Sequence, residues 1–304
     1  MNNFGFFCKS FHQDFEQLQN LIESFTSFNG NNLDLVISIP SEDTQKYFNM
    51  FGNHEFIHVI HDEDIVQNIE NLPGWYFQQL VKLYSYRTIQ FENYVVLDSD
   101  YYFSRVFEVA DFYTPQIINI YASDIRTVYD FSKNNLQAYI ESNCYEVDDD
   151  LFLINDSSKP PLEILRKYIE YSKSPLLIIE EQLGNPIERS RIAHEVFGKH
   201  KWLFYQPSQI FSKQCLEHFF EFLKLIDFEF EDIIKLCPWE YNWYGEFVTW
   251  RYGTLLAKRV SPVLHFAEEH QVSQFREFSD LHQKYFKKFP LIAMASRHIQ
   301  SIKL

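Results

Sequence analysis

Tyr94-Val95-Val96-Leu97 runs straight into Asp98-Ser99-Asp100. Four apolar, partly β-branched residues in a row predict a short strand buried on both faces, the pattern of a parallel sheet. The two carboxylates then fall at the strand's C-terminal end. In open α/β sheets that edge is where ligands bind. Acids spaced i, i+2 at a strand-to-loop turn can converge on one cation. Their hard oxygens suit Mg²⁺ or Mn²⁺, and those ions suit a diphosphate. The competing account of the same tripeptide is a solvated turn after a core strand.

The residues before it repeat one theme. Phe4 to Cys8 reads as a first strand. Phe15, Leu18, Leu21, Ile22, Phe25 and Phe28 recur at helical spacing, and Asn29-Gly30-Asn31-Asn32 ends that helix. Leu33 to Ile39 is a second strand. Pro40-Ser41 opens a second helix, with Ser41 expected as its N-cap. Phe56 to His61 is a third strand, Trp75 to Tyr86 a third helix, and the Tyr94–Leu97 run a fourth strand. Alternation of this kind predicts an α/β fold with a parallel sheet. Past Phe103 the pattern loosens. Pro115 to Tyr121 suggests a strand and residues 124–140 a partial helix. Asp148-Asp149-Asp150 reads as a solvated turn. The loop Asn155-Asp156-Ser157-Ser158-Lys159-Pro160-Pro161 divides the chain into halves 1–155 and 156–304. Helices are expected at about 162–171, 187–197, 212–228, 239–258 and 272–286, so the second half is mainly helical.

Composition narrows the function classes. Only 8 of the 304 residues are glycine, and neither G-x-G-x-x-G nor G-x-x-x-x-G-K occurs, so a Rossmann dinucleotide site or a P-loop has no support. The aromatic share is 18 %, enough for ring-lined clefts. A net charge of −15 opposes nucleic acid as a partner, because that affinity rests on Lys and Arg at phosphates. Cys8, Cys144, Cys215 and Cys237 lie far apart without a C-x-x-C pair, as expected of reduced thiols in a cytoplasmic protein. The N-terminus lacks the pattern of a signal peptide. No stretch reaches the roughly 18 apolar residues of a membrane span. Any inner-membrane association is therefore expected to be peripheral.

Two families place D-x-D after a strand. Haloacid-dehalogenase-type phosphatases put the motif on their first strand, with Thr two residues beyond the second Asp. Here the strand is the fourth and the residue is Tyr102. Metal-dependent GT-A glycosyltransferases carry D-x-D late in the first α/β half, which fits. Three segments in order sharpen that likeness: Cys8-Lys9-Ser10-Phe11-His12-Gln13-Asp14 leading into Leu21-Ile22-Glu23-Ser24, Gly74-Trp75-Tyr76-Phe77-Gln78-Gln79-Leu80-Val81-Lys82-Leu83, and Val96-Leu97-Asp98-Ser99-Asp100. Together they resemble a bacterial family of GT-A-like glycosyltransferases, often described only as a family of unknown function. Trp239-Glu240-Tyr241-Asn242-Trp243-Tyr244-Gly245-Glu246-Phe247 is similar to that family's acidic-aromatic helix start.

The resemblance implies a GT-A-like, Rossmann-type, mostly parallel sheet flanked by helices, with donor binding in 1–155 and the acceptor side in 156–304. It implies transfer of a sugar from a nucleotide-sugar, with a UDP-sugar as the expected donor, to a saccharide or lipid-linked acceptor in surface-polysaccharide assembly. The expected cofactor is Mn²⁺ or Mg²⁺, which neutralises the departing diphosphate. Asp100 is the expected direct ligand, and Asp98 reaches the ribose or a metal-bound water. A late histidine commonly completes such a site, and His265 is the candidate, with His298 a second choice; the competing reading of His265 is a core histidine.

On the donor side, Ser10 and Asp14 can hydrogen-bond base or ribose, and Lys9 can offset phosphate charge; Asp14 can equally cap the following helix. Gln78 and Lys82 share a helical face, and with Gln79 they are expected to meet the sugar or diphosphate. If the transfer inverts, a base is needed at the acceptor hydroxyl. Glu240 and Glu246 qualify, because aromatic surroundings disfavour their charged form. His54, His58 and His61 make a poor zinc site, since strand alternation separates the last two. The competing functions are a non-catalytic nucleotide- or carbohydrate-binding protein and a metal-dependent phosphohydrolase.

Overall fold

The computed structural model describes residues 3–67, 72–115, 117–124, 161–197, 202–204, 208–259, 261–266 and 289–294. The expected 272–286 helix, most of the 124–140 segment, the 148–150 acidic run, the 155–160 loop, Cys144 and His298 lie outside them.

The first half alternates as expected. Strands β1 (Phe4–Lys9), β2 (Leu35–Ile39), β3 (Ile57–His61) and β4 (Asn93–Asp98) are interleaved with helices α1 (Phe15–Phe28), α2 (Thr44–Phe51), a short α3 (Asp62–Ile65) and α4 (Gly74–Tyr84). The sheet order is β3-β2-β1-β4-β9, where β9 (Gln209–Ser212) comes from the second half. The first four strands are parallel, and β9 runs antiparallel to β4 with Tyr94 opposite Phe211.

Period-two alternation explains why the strand runs are apolar throughout. In β4, Tyr94 and Val96 enter one hydrophobic cluster while Val95 and Leu97 enter the other. In β1, Phe7 goes one way and Phe6 and Cys8 the other. The stripe Phe15, Leu18, Leu21, Ile22 and Phe25 of α1 covers one face. Leu80, Val81 and Leu83 of α4 cover the opposite face.

The first half ends in β5 to β7, and the second half supplies β8 to β12. β5 (Tyr101–Phe103) follows the acid pair directly; α5 (Val109–Phe112), β6 (Ile118–Tyr121) and β7 (Ser123–Asp124) come next. Helices α6 (Pro161–Ser172), α7 (Leu176–Leu183), α8 (Pro186–Arg189) and α9 (Arg191–Phe197) precede β8 (Trp202–Leu203) and β9. Then come α10 (Lys213–Leu225), α11 (Phe230–Leu236) and α12 (Glu240–Tyr252), followed by β10 (Leu256–Arg259), β11 (Val263–Phe266) and β12 (Leu291–Met294). Leu216 and Phe219 of α10, Ile233 of α11 and Trp243 and Phe247 of α12 join the cluster that α4 covers.

Three expectations are corrected here. Ser41 is not a capping residue: it begins a 3-10 turn, and its hydroxyl and backbone N–H donate to Glu63 instead. The 239–258 helix stops at Tyr252, because Gly253 takes φ +50°, a left-handed conformation that glycine adopts readily. Its last residues instead form β10, parallel to β6. The 187–197 helix is two short helices, α8 and α9. Among the described residues no helix is long and apolar enough to cross a membrane.

Candidate active site

Because β1 to β4 are parallel, their carboxyl ends share one edge. That edge holds Lys9 and Ser10 after β1, Pro40 after β2, Asp62 after β3 and Asp98 after β4. Lys9 is in register with both Ser38 and Asp98. A cavity of about 460 Å³ opens here, lined by Lys9, Phe11, Pro40, Asp62, Glu63, Gly74, Trp75, Phe77 and Gln78. Three of its walls are aromatic rings, and Trp75 is 37 % exposed at the rim. Trp75 stands edge-on to Trp239, ring centres 5.0 Å apart.

The floor is polar and fully paired. Lys9 Nζ lies 2.9 Å from Asp62 Oδ2, with both side chains buried. Ser38 donates its hydroxyl to Asp62 Oδ1. Burial raises the Asp62 pKa, against the pull of Lys9 and Ser38. Lys9 therefore stands as a fixed counter-ion to Asp62, one strand over from Asp98.

A second buried lysine organises the acid pair. Lys82 Nζ lies 2.7 Å from Asp98 Oδ1 and 2.9 Å from Glu240 Oε1. Burial alone would lower the Lys82 pKa, but Asp98 and then Glu240 outweigh it and the pKa is raised. Gln78, one turn earlier on α4, donates from Nε2 to the same Asp98 Oδ1 at 3.4 Å. Both contacts fall on one oxygen, which leaves Oδ2 for a further partner. Gln78 also lines the cavity, so this one side chain links the cavity wall to Asp98.

Asp100 is the unsatisfied member. Its Oδ1 is buried without a hydrogen-bond partner, a state that costs free energy unless a ligand relieves it. Burial, then the neighbouring Asp98 charge, push its pKa up to about 8. Ser10 Oγ and Gln79 Oε1 are likewise buried and unpartnered; the Gln79 amide nitrogen bonds only the Trp75 carbonyl of its own helix. Asp14 precedes α1 but makes no capping bond. Its carboxyl bonds Ser99 instead, and burial raises its pKa. The β1–α1 loop is thereby tied to the acid tripeptide.

His265 reaches the same region through a small sheet. On β11 it is in register with Ala293 of β12, which pairs with Tyr101, the residue after Asp100. Burial lowers its pKa to about 4, against the opposing pull of Asp98, so its imidazole is neutral, the form that ligates metals. Yet among the described residues no three His, Cys, Asp or Glu side chains are grouped to hold a metal ion. The structure thus does not gather Asp98, Asp100 and His265 into a ready three-ligand set. The acid pair still fits a divalent ion. Mg²⁺ and Mn²⁺ sites at phosphates need one or two carboxylates, the rest coming from substrate oxygens and water, and Asp100 offers an orphaned oxygen. His54, His58 and His61 belong to no such group either: His58 meets Asp34, and His61 meets Thr44.

Glu240 and Glu246 part company. Glu240 joins Lys82 and Asp98, and burial raises its pKa despite Lys82. Glu246 is buried too, but its Oε1 meets His194 Nδ1 of α9 at 2.9 Å. Residues that pattern reasoning did not single out are Phe11, Pro40, Asp62, Glu63, Trp75 and Phe77. Their signal was position alone, at the ends of β1, β2 and β3 and at the start of α4.

A sequence profile for a family of unknown function, DUF6492, matches residues 7–143. That span contains all three donor-side segments and the acid pair. No curated protein matches the chain by sequence. Among solved structures, mouse xyloside xylosyltransferase 1 in its apo form superposes with a TM-score of 0.46 at 9 % identity, covering 97 % of this chain and 98 % of that one. The galactosyltransferase LgtC, in complex with donor and acceptor sugar analogs, gives 0.43 at 9 % identity, covering 96 % and 87 %. The bifunctional glycosyltransferase WbbM in its apo form gives 0.45 at 11 % identity, covering 95 % of this chain and 45 % of that one.

Proposed function

We propose that the chain is a metal-dependent glycosyltransferase that uses a nucleotide-sugar donor. One observation carries the reading. At the carboxyl edge of four parallel strands, an aromatic-walled cavity is lined by Gln78, whose amide bonds Asp98, and the carboxylate oxygen of Asp100 nearby is buried without a partner. Flat rings in the cavity suit a nucleobase, and the neighbouring acid pair suits a cation on a diphosphate. Asp98 and Asp100 would hold the Mn²⁺ or Mg²⁺, and His265, on the sheet that also carries Tyr101, is the candidate for an added ligand. When bound, that ion neutralises charge on the leaving diphosphate.

The side chains do the rest. Lys9, Ser10, Asp14, Gln78, Gln79 and Lys82 ring the donor site and orient what enters it. Lys82 keeps Asp98 in place. Of the two acids, Glu240, bonded to Lys82 next to Asp98, is our candidate for the base; Glu246 is bonded to His194 instead. The acceptor we assign, on the family likeness, is a saccharide or lipid-linked saccharide of surface-polysaccharide assembly.

Calorimetry with UDP, GDP, CDP and CMP, with and without Mn²⁺, tests this. Binding of a nucleoside diphosphate that requires Mn²⁺, and that Asp100→Asn abolishes while circular dichroism stays unchanged, is the expected result. If no nucleotide binds under any metal condition, the proposal fails. Release of phosphate from a generic phosphomonoester would favour a phosphohydrolase instead.

A further inference from the structure

We propose that Glu240 is a positioning residue that acts through Lys82 to set how tightly Asp98 holds a divalent cation. The inference rests on the reading of Asp98 and Asp100 as cation ligands.

Lys82 is an internal cation already seated on Asp98. Its Nζ is 2.7 Å from Asp98 Oδ1, and only 4 % of its side chain is exposed. In so buried a place a unit charge is felt far more strongly than in water. Left alone with Asp98, Lys82 would neutralise it and compete with any incoming ion. Glu240 prevents that. Its carboxylate, as buried as the lysine, takes a second donor of the same ammonium at 2.9 Å. The Tyr241 ring, 5.2 Å from Nζ, holds the head group from another side. Lys82, Glu240 and Asp98 together carry one net negative charge, and Asp98 is the exposed member, with 34 % of its side chain open against 4 % for each of the other two. The surplus charge is therefore presented where a cation can reach it. Among the described residues Glu240 has no hydrogen bond or ion pair with Asp98; Lys82 bonds both and links them.

Removing the acid and removing the base should then act in opposite directions. Mn²⁺ alone is titrated by calorimetry into the full-length, metal-free protein. Glu240→Gln leaves Lys82 to neutralise Asp98 and is expected to weaken Mn²⁺ about 10-fold, the scale of outer-shell changes at metal sites. Lys82→Met frees Asp98 and is expected to tighten Mn²⁺ by a similar factor. The double variant restores one net negative charge and should return to within about twofold of the parent. A purely structural tie between α4 and α12 predicts otherwise: both single variants weaken binding and the double variant is weakest, which would overturn the inference. If Lys82→Met does not fold, Glu240→Asp decides, since it keeps the charge. Affinity within about twofold of the parent supports the inference, and a loss equal to that of Glu240→Gln overturns it. A parent protein that takes up no Mn²⁺ removes the acid-pair reading itself, and this inference with it.

Discussion

Glu240 and Glu246 sit on one helix, six residues apart, in the same run of tryptophans and tyrosines, and both are 3 % exposed. Their surroundings nevertheless differ in kind. Six residues at 3.6 per turn turn the side chain by roughly 120°, enough to send the two acids to different neighbours. Glu240 faces α4 and meets a lysine buried as deeply as itself. Glu246 faces α9 and meets His194, whose side chain is 41 % exposed. One acid is locked into a three-charge array at the acid pair. The other is half of a pair open to solvent. The lesson is that burial of an acid says little until its counter-charge is known: a buried lysine makes it part of a site, a surface histidine makes it a tie between helices.

The largest expected effect breaks the first member of that contrast. Glu240→Ala leaves buried Lys82 with only the half-buried Asp98 as its carboxylate partner and opens a gap between α4 and α12. Loss of one partner from a buried ionic array costs about 3 kcal/mol, to be read from urea unfolding. A loss no greater than that of Glu246→Gln would show that the two acids are equivalent after all.

Next in size is a pH effect at the acid pair. Asp100 has a pKa of about 8 against an ordinary value of 3.8. The native state therefore holds that proton more tightly than the unfolded chain does. Stability of the metal-free protein should fall as pH rises from 3.8 towards 8 and then level off. Asp100→Asn, which stays neutral, should flatten that slope and melt higher than the parent at pH 8. A parent whose melting temperature is unaffected by Asp100→Asn at pH 8 would remove burial as the cause of the shift.

Much of the first half was readable because its physics is local. Strand runs at the right intervals, the α1 stripe and the acids behind β4 each follow from short-range pattern; Gln78 and Lys82, expected on their shared helical face to meet sugar or diphosphate, turn out to bond Asp98, a contact the sequence did not suggest. What joins the halves was not readable. Glu240 lies 158 positions beyond Lys82, and the pattern inside α12 gave no means of choosing it over Glu246. β9 escaped notice because four residues, Gln209–Ser212, blend into the helix that follows. The cavity escaped as well, since Phe11, Asp62 and Trp75 come from three separate strand ends and helix starts and converge only when the sheet is built.

The smallest effect tests the second member of the contrast. His194 has a raised pKa, first because Glu246 accepts its hydrogen bond, with burial opposing. A histidine pKa raised above 6.5 in the folded protein means that the charged ring is favoured by folding. The stabilisation is fully present below pH 6.5 and is lost as pH climbs through the folded value. Because the histidine side chain is 41 % exposed, solvent screens the pair, which is worth at most about 1 kcal/mol. Glu246→Gln should remove that pH dependence, cost no more than this in urea unfolding at pH 6, and leave Mn²⁺ affinity where it was. A Mn²⁺ affinity that falls as far with Glu246→Gln as with Glu240→Gln would mean that charge on α12 is felt at the acid pair without regard to which lysine or histidine holds it, and the separation drawn between the two glutamates would not stand.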